Sequence, residues 1–333
     1  MSRKNLQGLP GAHGRILSMN PRKITVDLVV PVFDEEGVIE RTHKRIRDVV
    51  DSLEYDVHFI YVDDGSRDGT VDALHRIAET DPRATLLRLS RNFGHQAALT
   101  AGMDASTADV VITLDGDGQH PPEMIPQILG LVEHGYDVVQ TQRMDEAQPA
   151  SFKKWTSGLF YRLINIVSGT QVLPGTADFR ALSRQAVDAL KVMPEYHRFL
   201  RGMVSWIGFS TVILPYQPGE RISGVSKYSF SKMFRLAMDA IFSFSLVPLY
   251  LGLSLGGLFF CLAAAEMVYV LSFWVTGRTS NLAPGWSSLM FVILTVGGLL
   301  MVLLGFIGVY VGYIFQEVKR RPVYLVKGEK HDG

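Results

Sequence analysis

The sequence predicts an α/β domain with a mostly parallel sheet, followed by two transmembrane helices. Three observations carry this. Between residues 24 and 141, apolar runs rich in Val and Ile alternate with stretches of helical spacing. Polar clusters follow those runs at regular places, and two long stretches near the C-terminus are almost free of charge.

The strands are expected at ITVDLVVPV, VHFIYV, TLLRL, DVVITL and DVVQT, and a helix between the first two at Val38, Ile39, Ile46, Val49, Val50 and Leu53. Strands alternating with helices make a sheet covered on both faces, with ligands at the carboxyl ends of the strands. PVFDEE, VDDGSRDGT, LDGDGQ and QR fall at those ends.

The uncharged stretches come later. Between Asp239 and Arg278 the only Asp, Glu, Lys or Arg is Glu266, and Thr279 to Gln316 contains none. A helix needs about 20 apolar residues to cross a bilayer, and Leu246 to Ala265 and Leu289 to Phe315 meet that length. Arg221, Lys227, Lys232 and Arg235 precede the first span and Lys319, Arg320 and Arg321 follow the second, while the connection carries only Arg278. The large N-terminal region and the C-terminal tail, and so both termini, are therefore expected on the cytoplasmic side of a plasma membrane. Gly252 and Gly256, and Gly308 and Gly312, form small-xxx-small pairs suited to packing the spans within one hairpin or into a homo-oligomer.

Composition narrows the function. The 33 basic and 33 acidic residues balance, which gives no footprint for nucleic acid. The single cysteine, Cys261, excludes an intramolecular disulfide. Residues 1–20 lack the apolar core of a signal peptide and read as a disordered leader or expression remnant. The expected divisions are an α/β domain over 21–226, a juxtamembrane amphipathic helix over 227–243, a two-helix hairpin over 244–316 and a cytoplasmic tail over 317–333. Two amphipathic stretches, with Phe152, Trp155, Leu159, Leu163 and Ile166 on one face and with Phe230, Phe234 and Ile241 on another, suit either a membrane surface or the protein core.

The chemistry centres on TLDGDGQHPPE. Neither acidic run is a calcium loop, because the twelfth position is His75 counting from Asp64 and Pro126 counting from Asp115, where a glutamate is required. A phosphatase with an aspartyl nucleophile is disfavoured by Gln119 two places after the second Asp. Asp115 and Asp117, with a glycine between them at a strand end, can instead aim two carboxylates at one hard cation, Mg2+ or Mn2+, with Gln119 adding a neutral oxygen.

Taken together, PVFDEE, VDDGSRDGT, RNFGHQAALTAGMDAS, LDGDGQHPPE, GTADFR, HRFLRGMVSWIGF and GVSKYS resemble the polyisoprenyl-phosphate glycosyltransferases. These are inverting enzymes of glycosyltransferase family 2 with a Rossmann-like GT-A fold, among them the dolichol-phosphate mannose and bactoprenol glucose enzymes. The similarity runs from about residue 24 to 325, and the paired spans are similar to the bacterial glucosyltransferase type. The Q-x-x-R-W motif of processive synthases is absent, which favours transfer of one sugar. The resemblance implies a nucleotide-sugar donor, UDP-glucose first and GDP-mannose or another sugar nucleotide as the alternative, and a polyprenyl (undecaprenyl) phosphate acceptor in the membrane.

It also implies roles. Pro31, Asp34, Glu35, Asp63, Asp64 and Asp115 would contact the nucleotide sugar; Asp115, Asp117 and Gln119 would form the metal and diphosphate motif; Arg143 would meet the diphosphate. Phe33-Asp34 stands where many relatives have Tyr-Asn. Asp178 would lie near the reacting carbon, with helix capping ahead of ALSRQAVDAL as its other reading. Arg201, Arg221 and Lys227, cations in the membrane-proximal motifs, would meet the acceptor phosphate. Two other classes stay open: a lipid carrier or flippase, which would turn over no sugar nucleotide, and a nucleotidyltransferase, which would release pyrophosphate.

Overall fold

The computed structural model of the chain describes residues 23–144, 176–217, 247–276 and 285–328. Its strands and helices alternate first as β1 Thr25–Val32, α1 Ile39–Val50, β2 Asp56–Asp63, α2 Thr70–Thr80, β3 Ala84–Arg88, α3 His95–Ala105 and β4 Val110–Thr113. A short 3-10 turn, Pro122–Met124, leads into α4 Ile125–Glu133 and then β5 Val138–Arg143. Beyond them come β6 Thr176–Ser183, α5 Arg184–Lys191, α6 Leu200–Trp206 and β7 Thr211–Tyr216, and finally two long helices, α7 Val247–Val275 and α8 Trp286–Val318.

The seven strands form one sheet in the order β3-β2-β1-β4-β6-β5-β7. Every neighbouring pair is parallel except those that β6 makes with β4 and β5. All five expected strands are present; β6 and β7 complete the sheet. Period-2 alternation sends successive side chains to opposite faces. Val26, Leu28, Val30 and Val32 of β1 accordingly pack with α1, α2 and α4, through residues such as Ile46, Leu74 and Ile128. Val29 faces the other way, into a second cluster with α3, α5 and α6, through Leu99, Leu190 and Met203. Helices on both faces explain why the central strands read as unbroken apolar runs.

TADFR belongs to β6, so Asp178 does not cap a helix. Ser183 does that for α5, its hydroxyl accepting from the Ala186 N–H. The antiparallel course of β6 decides where Asp178 lies: Thr113 at the carboxyl end of β4 pairs with Arg180 near the amino end of β6, so both reach the same edge of the sheet.

Each long helix contains a stretch long and apolar enough to cross a membrane, Ser254–Phe273 and Thr295–Val318. The first lies further along the chain than the expected Leu246 to Ala265, because α7 continues through the apolar VYVLSFWV to Val275. A side chain at Gly252 would strike Leu303 of α8 at 2.2 Å, so this glycine sits where the two helices meet, whereas Gly256, Gly308 and Gly312 face open space. After α8 the chain returns to the sheet domain. Val326 bridges Leu89, the Ser90 N–H donates to Leu325 O at 2.8 Å and the Lys327 N–H to Arg88 O at 2.8 Å. The amphipathic stretches beginning at Phe152 and Phe230, and the candidate residues Arg221 and Lys227, lie outside the described residues.

Candidate active site

A cavity of about 740 Å³ opens at the carboxyl ends of β1, β2 and β4. Three of the polar clusters found in the sequence supply its walls: Pro31, Val32, Phe33 and Glu35 at the end of β1, Asp64 and Arg67 after β2, and Asp115 to Asp117 after β4. Asp178 and Arg201 close the remaining side.

The first wall is a pair of interlocked turns. Asp34 has φ 54°, an unusual conformation for a residue with a side chain. It is fixed there because its N–H donates to Ser66 Oγ at 3.1 Å and its carboxylate accepts from the Arg67 N–H at 2.9 Å. The Glu35 N–H donates to Thr70 Oγ1 at 2.8 Å. Asp68 accepts from the Thr70 N–H at 3.0 Å. Asp63 is fully buried behind this wall, accepting from the Ser66 N–H at 2.9 Å and paired with Arg88 at 3.3 Å, and it does not line the cavity. Asp64 accepts from the N–H groups of Phe93 at 2.7 Å and Gly94 at 2.9 Å. Burial pushes its carboxyl up, against the pull of those two donors. Gly65, between Asp64 and Ser66, has φ +72°, and a Cβ there would lie 2.6 Å from the Arg91 carbonyl carbon, so only glycine fits.

The second wall is the Asp-x-Asp turn. The Asp115 N–H donates to His120 Nδ1 at 3.0 Å, which leaves the proton on Nε2, 3.6 Å from Asp115 Oδ2. His120 in turn stacks on Phe179 with centroids 5.2 Å apart. Asp115 Oδ1 is buried without a hydrogen bond, 3.5 Å from His95 Nε2, and so keeps acceptor capacity that a metal ion can use. Asp117 is held by Gln119, whose backbone N–H donates at 3.0 Å and whose side-chain amide donates to the second oxygen. Gln119 thus offers Asp117 its nitrogen, and its amide orients a carboxylate. Among the described residues no group of three His, Cys, Asp or Glu side chains could hold an ion unaided. An ion between Asp115 and Asp117 would complete its shell from water and phosphate oxygens, the usual habit of Mg2+.

The third wall is cationic. Arg201 grips Asp178 with two bonds, Nε to Oδ1 at 3.2 Å and Nη2 to Oδ2 at 3.0 Å, and Arg180 binds Oδ1 as well. His95, at the start of α3, bridges Asp178 Oδ2 at 3.4 Å and Asp115 Oδ1 at 3.5 Å. Burial alone would raise the Asp178 carboxyl, but Arg201, then His95 and Arg180, outweigh it and hold the group well below the usual carboxylate range. His95 answers in the opposite sense. Burial would lower it, yet Asp178 and Asp115 push it up to about 9, although 42% of its side-chain surface remains exposed. Arg143 ends β5 on the exposed side of the sheet and does not line the cavity. It acts electrostatically on Tyr216, as do Asp115, Asp117 and Arg201; the Tyr216 phenol is pushed up to about 12, mainly by burial.

The structure therefore gathers Pro31, Glu35, Asp64, Asp115, Asp117, Asp178 and Arg201 around one cavity, with Asp34 and Gln119 as the residues that shape its walls. Asp63 stands behind it and Arg143 to one side. Sequence reasoning assigned no role to His95, Arg180 or His120. His95 and His120 sit in stretches, RNFGHQ and LDGDGQH, already singled out by their resemblance; Arg180, one strand alternation from Asp178, gave no separate signal.

A mostly parallel sheet with one reversed strand, two carboxylates at the end of β4 and, opposite them, Asp178 ringed by Arg201, Arg180 and His95 fit an enzyme of the GT-A class. Residues 27–191 match the model for glycosyl transferase family 2. The chain is 37% identical over 310 residues to a Bacillus subtilis (strain 168) protein named uncharacterized glycosyltransferase YkcC, covering 92% of this chain and 94% of that one. It is 36% identical over 309 residues to the bactoprenol glucosyl transferase of Shigella phage SfV, covering 92% and 99%. Among solved structures it is similar to glucosyl-3-phosphoglycerate synthase from Mycobacterium tuberculosis, with TM-score 0.44 and 18% identity over 66% of this chain and 78% of that one. The chain belongs to glycosyl transferase family 2, and it is a glycosyltransferase.

Proposed function

We propose that the protein is a membrane-bound inverting enzyme that moves one glucose from UDP-glucose onto a polyprenyl phosphate, undecaprenyl phosphate first, and releases UDP. The observation that carries this is the opposition of walls in one cavity: Asp115 and Asp117 on one side, Asp178 with Arg201 and His95 on the other. Similarity over nearly the whole chain to bactoprenol glucosyl transferases supports the choice of sugar and lipid.

Asp115 and Asp117 would hold Mg2+ or Mn2+, which when bound draws off the charge that develops on the departing diphosphate. The chain's own residues do the rest. Asp64, Glu35 and the backbone around Pro31 border the space for the nucleotide. The acceptor phosphate has a second pKa of about 6 and is largely a dianion at neutral pH, so no strong base is needed to activate it. Asp178 suits that requirement: a carboxylate held well below its usual range is a poor proton acceptor but a persistent negative charge. It faces the ring carbon as positive charge builds there, while Arg201 offers the phosphate a guanidinium whose direction Asp178 fixes. Arg143, Arg221 and Lys227 join as cations for the diphosphate and the acceptor.

Two helices long and apolar enough to cross a membrane support this reading of a bilayer enzyme, and the basic residues at their outer ends favour a sheet domain on the cytoplasmic side. The test is incubation of the purified protein with labelled UDP-glucose, UDP-galactose and GDP-mannose and with polyprenyl phosphate. Label from UDP-glucose should enter the organic phase, with one UDP released per sugar. Label from GDP-mannose alone would overturn the choice of sugar, and pyrophosphate as product would overturn the reaction.

A further inference from the structure

The last elements of the chain reach back toward the third wall of the site. Glu317, in the final turn of α8, accepts the backbone N–H of Tyr196 at 2.9 and 3.2 Å. Gln316 bonds His197 through its side-chain oxygen, and the rings of Tyr313 and His197 lie 4.9 Å apart. Residues 196 and 197 lead directly into α6, whose second residue is Arg201. The first residue of α6 is tied to α3 as well, its N–H donating to Gln96 Oε1 at 3.1 Å, next to His95. Beyond α8, the Tyr324 hydroxyl donates to Asp104 of α3 at 2.9 Å. Thus α8 and the tail hold α3 and α6, the two helices that bring His95 and Arg201 onto Asp178.

A carboxylate in the last turn meets the negative end of the helix dipole, which disfavours it, while the following Lys319, Arg320 and Arg321 favour it. Its side chain hydrogen-bonds the segment ahead of Arg201.

We propose that Glu317 is a positioning residue: by fixing Tyr196 it sets the start of α6, so that the apolar helix α8 controls how Arg201 is presented to the acceptor phosphate. This rests on the reading that Arg201 meets that phosphate. A group displaced by about 1 Å can cost a reaction up to 100-fold, and loss of one tether should cost less, about tenfold.

The test uses the full chain in detergent with UDP-glucose and polyprenyl phosphate, and compares Glu317→Ala, Glu317→Gln, Arg201→Ala and the double variant Glu317→Ala/Arg201→Ala. Glu317→Ala should lower kcat about tenfold while UDP-glucose affinity and melting temperature stay near those of the unmodified protein. Glu317→Gln keeps an oxygen for the Tyr196 N–H and should retain most of the rate. The double variant should be no slower than Arg201→Ala, because the two residues act along one line. Full activity of Glu317→Ala, equal loss of donor affinity, or a double variant showing the product of both losses would each overturn the proposal. Full activity of Arg201→Ala would remove the acceptor role of Arg201 itself, and with it the purpose assigned to Glu317.

Discussion

Single residues set the chemistry of the cavity through what they are denied as much as through what they bond. Asp115 Oδ1 is buried and lacks a hydrogen bond, while Asp117 is supplied with donors on both oxygens by Gln119. Asp117→Asn preserves the shape of that turn and removes the charge. Sugar transfer should fall by about 10²- to 10³-fold, the scale on which removing one electrostatic contact to a developing charge is felt. Excess chelator should do the same to the unmodified protein, and circular dichroism should show the fold unchanged; full activity in chelator would sink the metal site. Gly65 makes a different demand. Its φ of +72° and the backbone of Arg91 at 2.6 Å leave no room for a side chain, so Gly65→Ala should destabilise the sheet domain by about 3 kcal/mol, combining backbone strain with overpacking. Thermal unfolding checks this. Because Arg91 to Gly94 also supply the donors to Asp64, UDP affinity should fall in the same variant.

Elements place these residues, and the sequence reveals elements unevenly. β1, β2, β4 and β5 were legible because each carries a Val- or Ile-rich run closed by polar turn residues, and β3 from the apolar TLLRL; the site residues after β1, β2 and β4 came with them. β6 was not. TADFRALS contains a buried Arg180 and a buried Asp178, and its partner strands begin at Val110 and Val138, so only long-range pairing makes it a strand. For the same reason the grip of Arg201 on Asp178, 23 residues apart, and the bridge from His95 could not be read from spacing. The long helices show the converse: their existence was plain from hydropathy, yet only one of four glycines in the small-xxx-small pairs lies at their contact. Leu303 could rotate away from an alanine at position 252, so the probe is larger. Gly252→Leu should destabilise the protein in detergent by about 1–3 kcal/mol, and Gly256→Leu should change its thermal stability little.

At the scale of the whole molecule, the tail binds β3 and α3 of the sheet domain, so the end of α8 and that domain lie on one side of the apolar helices. α8 has 33 residues. At about 1.5 Å per residue it is roughly 50 Å long, well beyond a hydrocarbon core of about 30 Å, so its C-terminal turns project toward the sheet domain. From the basic residues at both outer ends, that side is predicted to be the cytoplasmic one. A reactive cysteine placed beside Lys327 should be labelled only from the cytoplasmic side, and one placed between Thr276 and Gly285 only from the other, in a background lacking Cys261. Labelling of both from one side would reject the hairpin.

The return of the tail also changes what the peptide chain is for after folding. Residues 286–328 are held to the rest of the molecule by contacts that do not pass through the backbone between Thr276 and Gly285: Leu303 on Gly252, Glu317 on Tyr196, and residues 325 to 327 on the end of β3. Continuity of the polypeptide at that point should therefore be dispensable: a chain severed there is expected to stay assembled, with α8 and its tail docking like a subunit behind the third wall of the cavity, and co-purification of the two fragments in active form checks it.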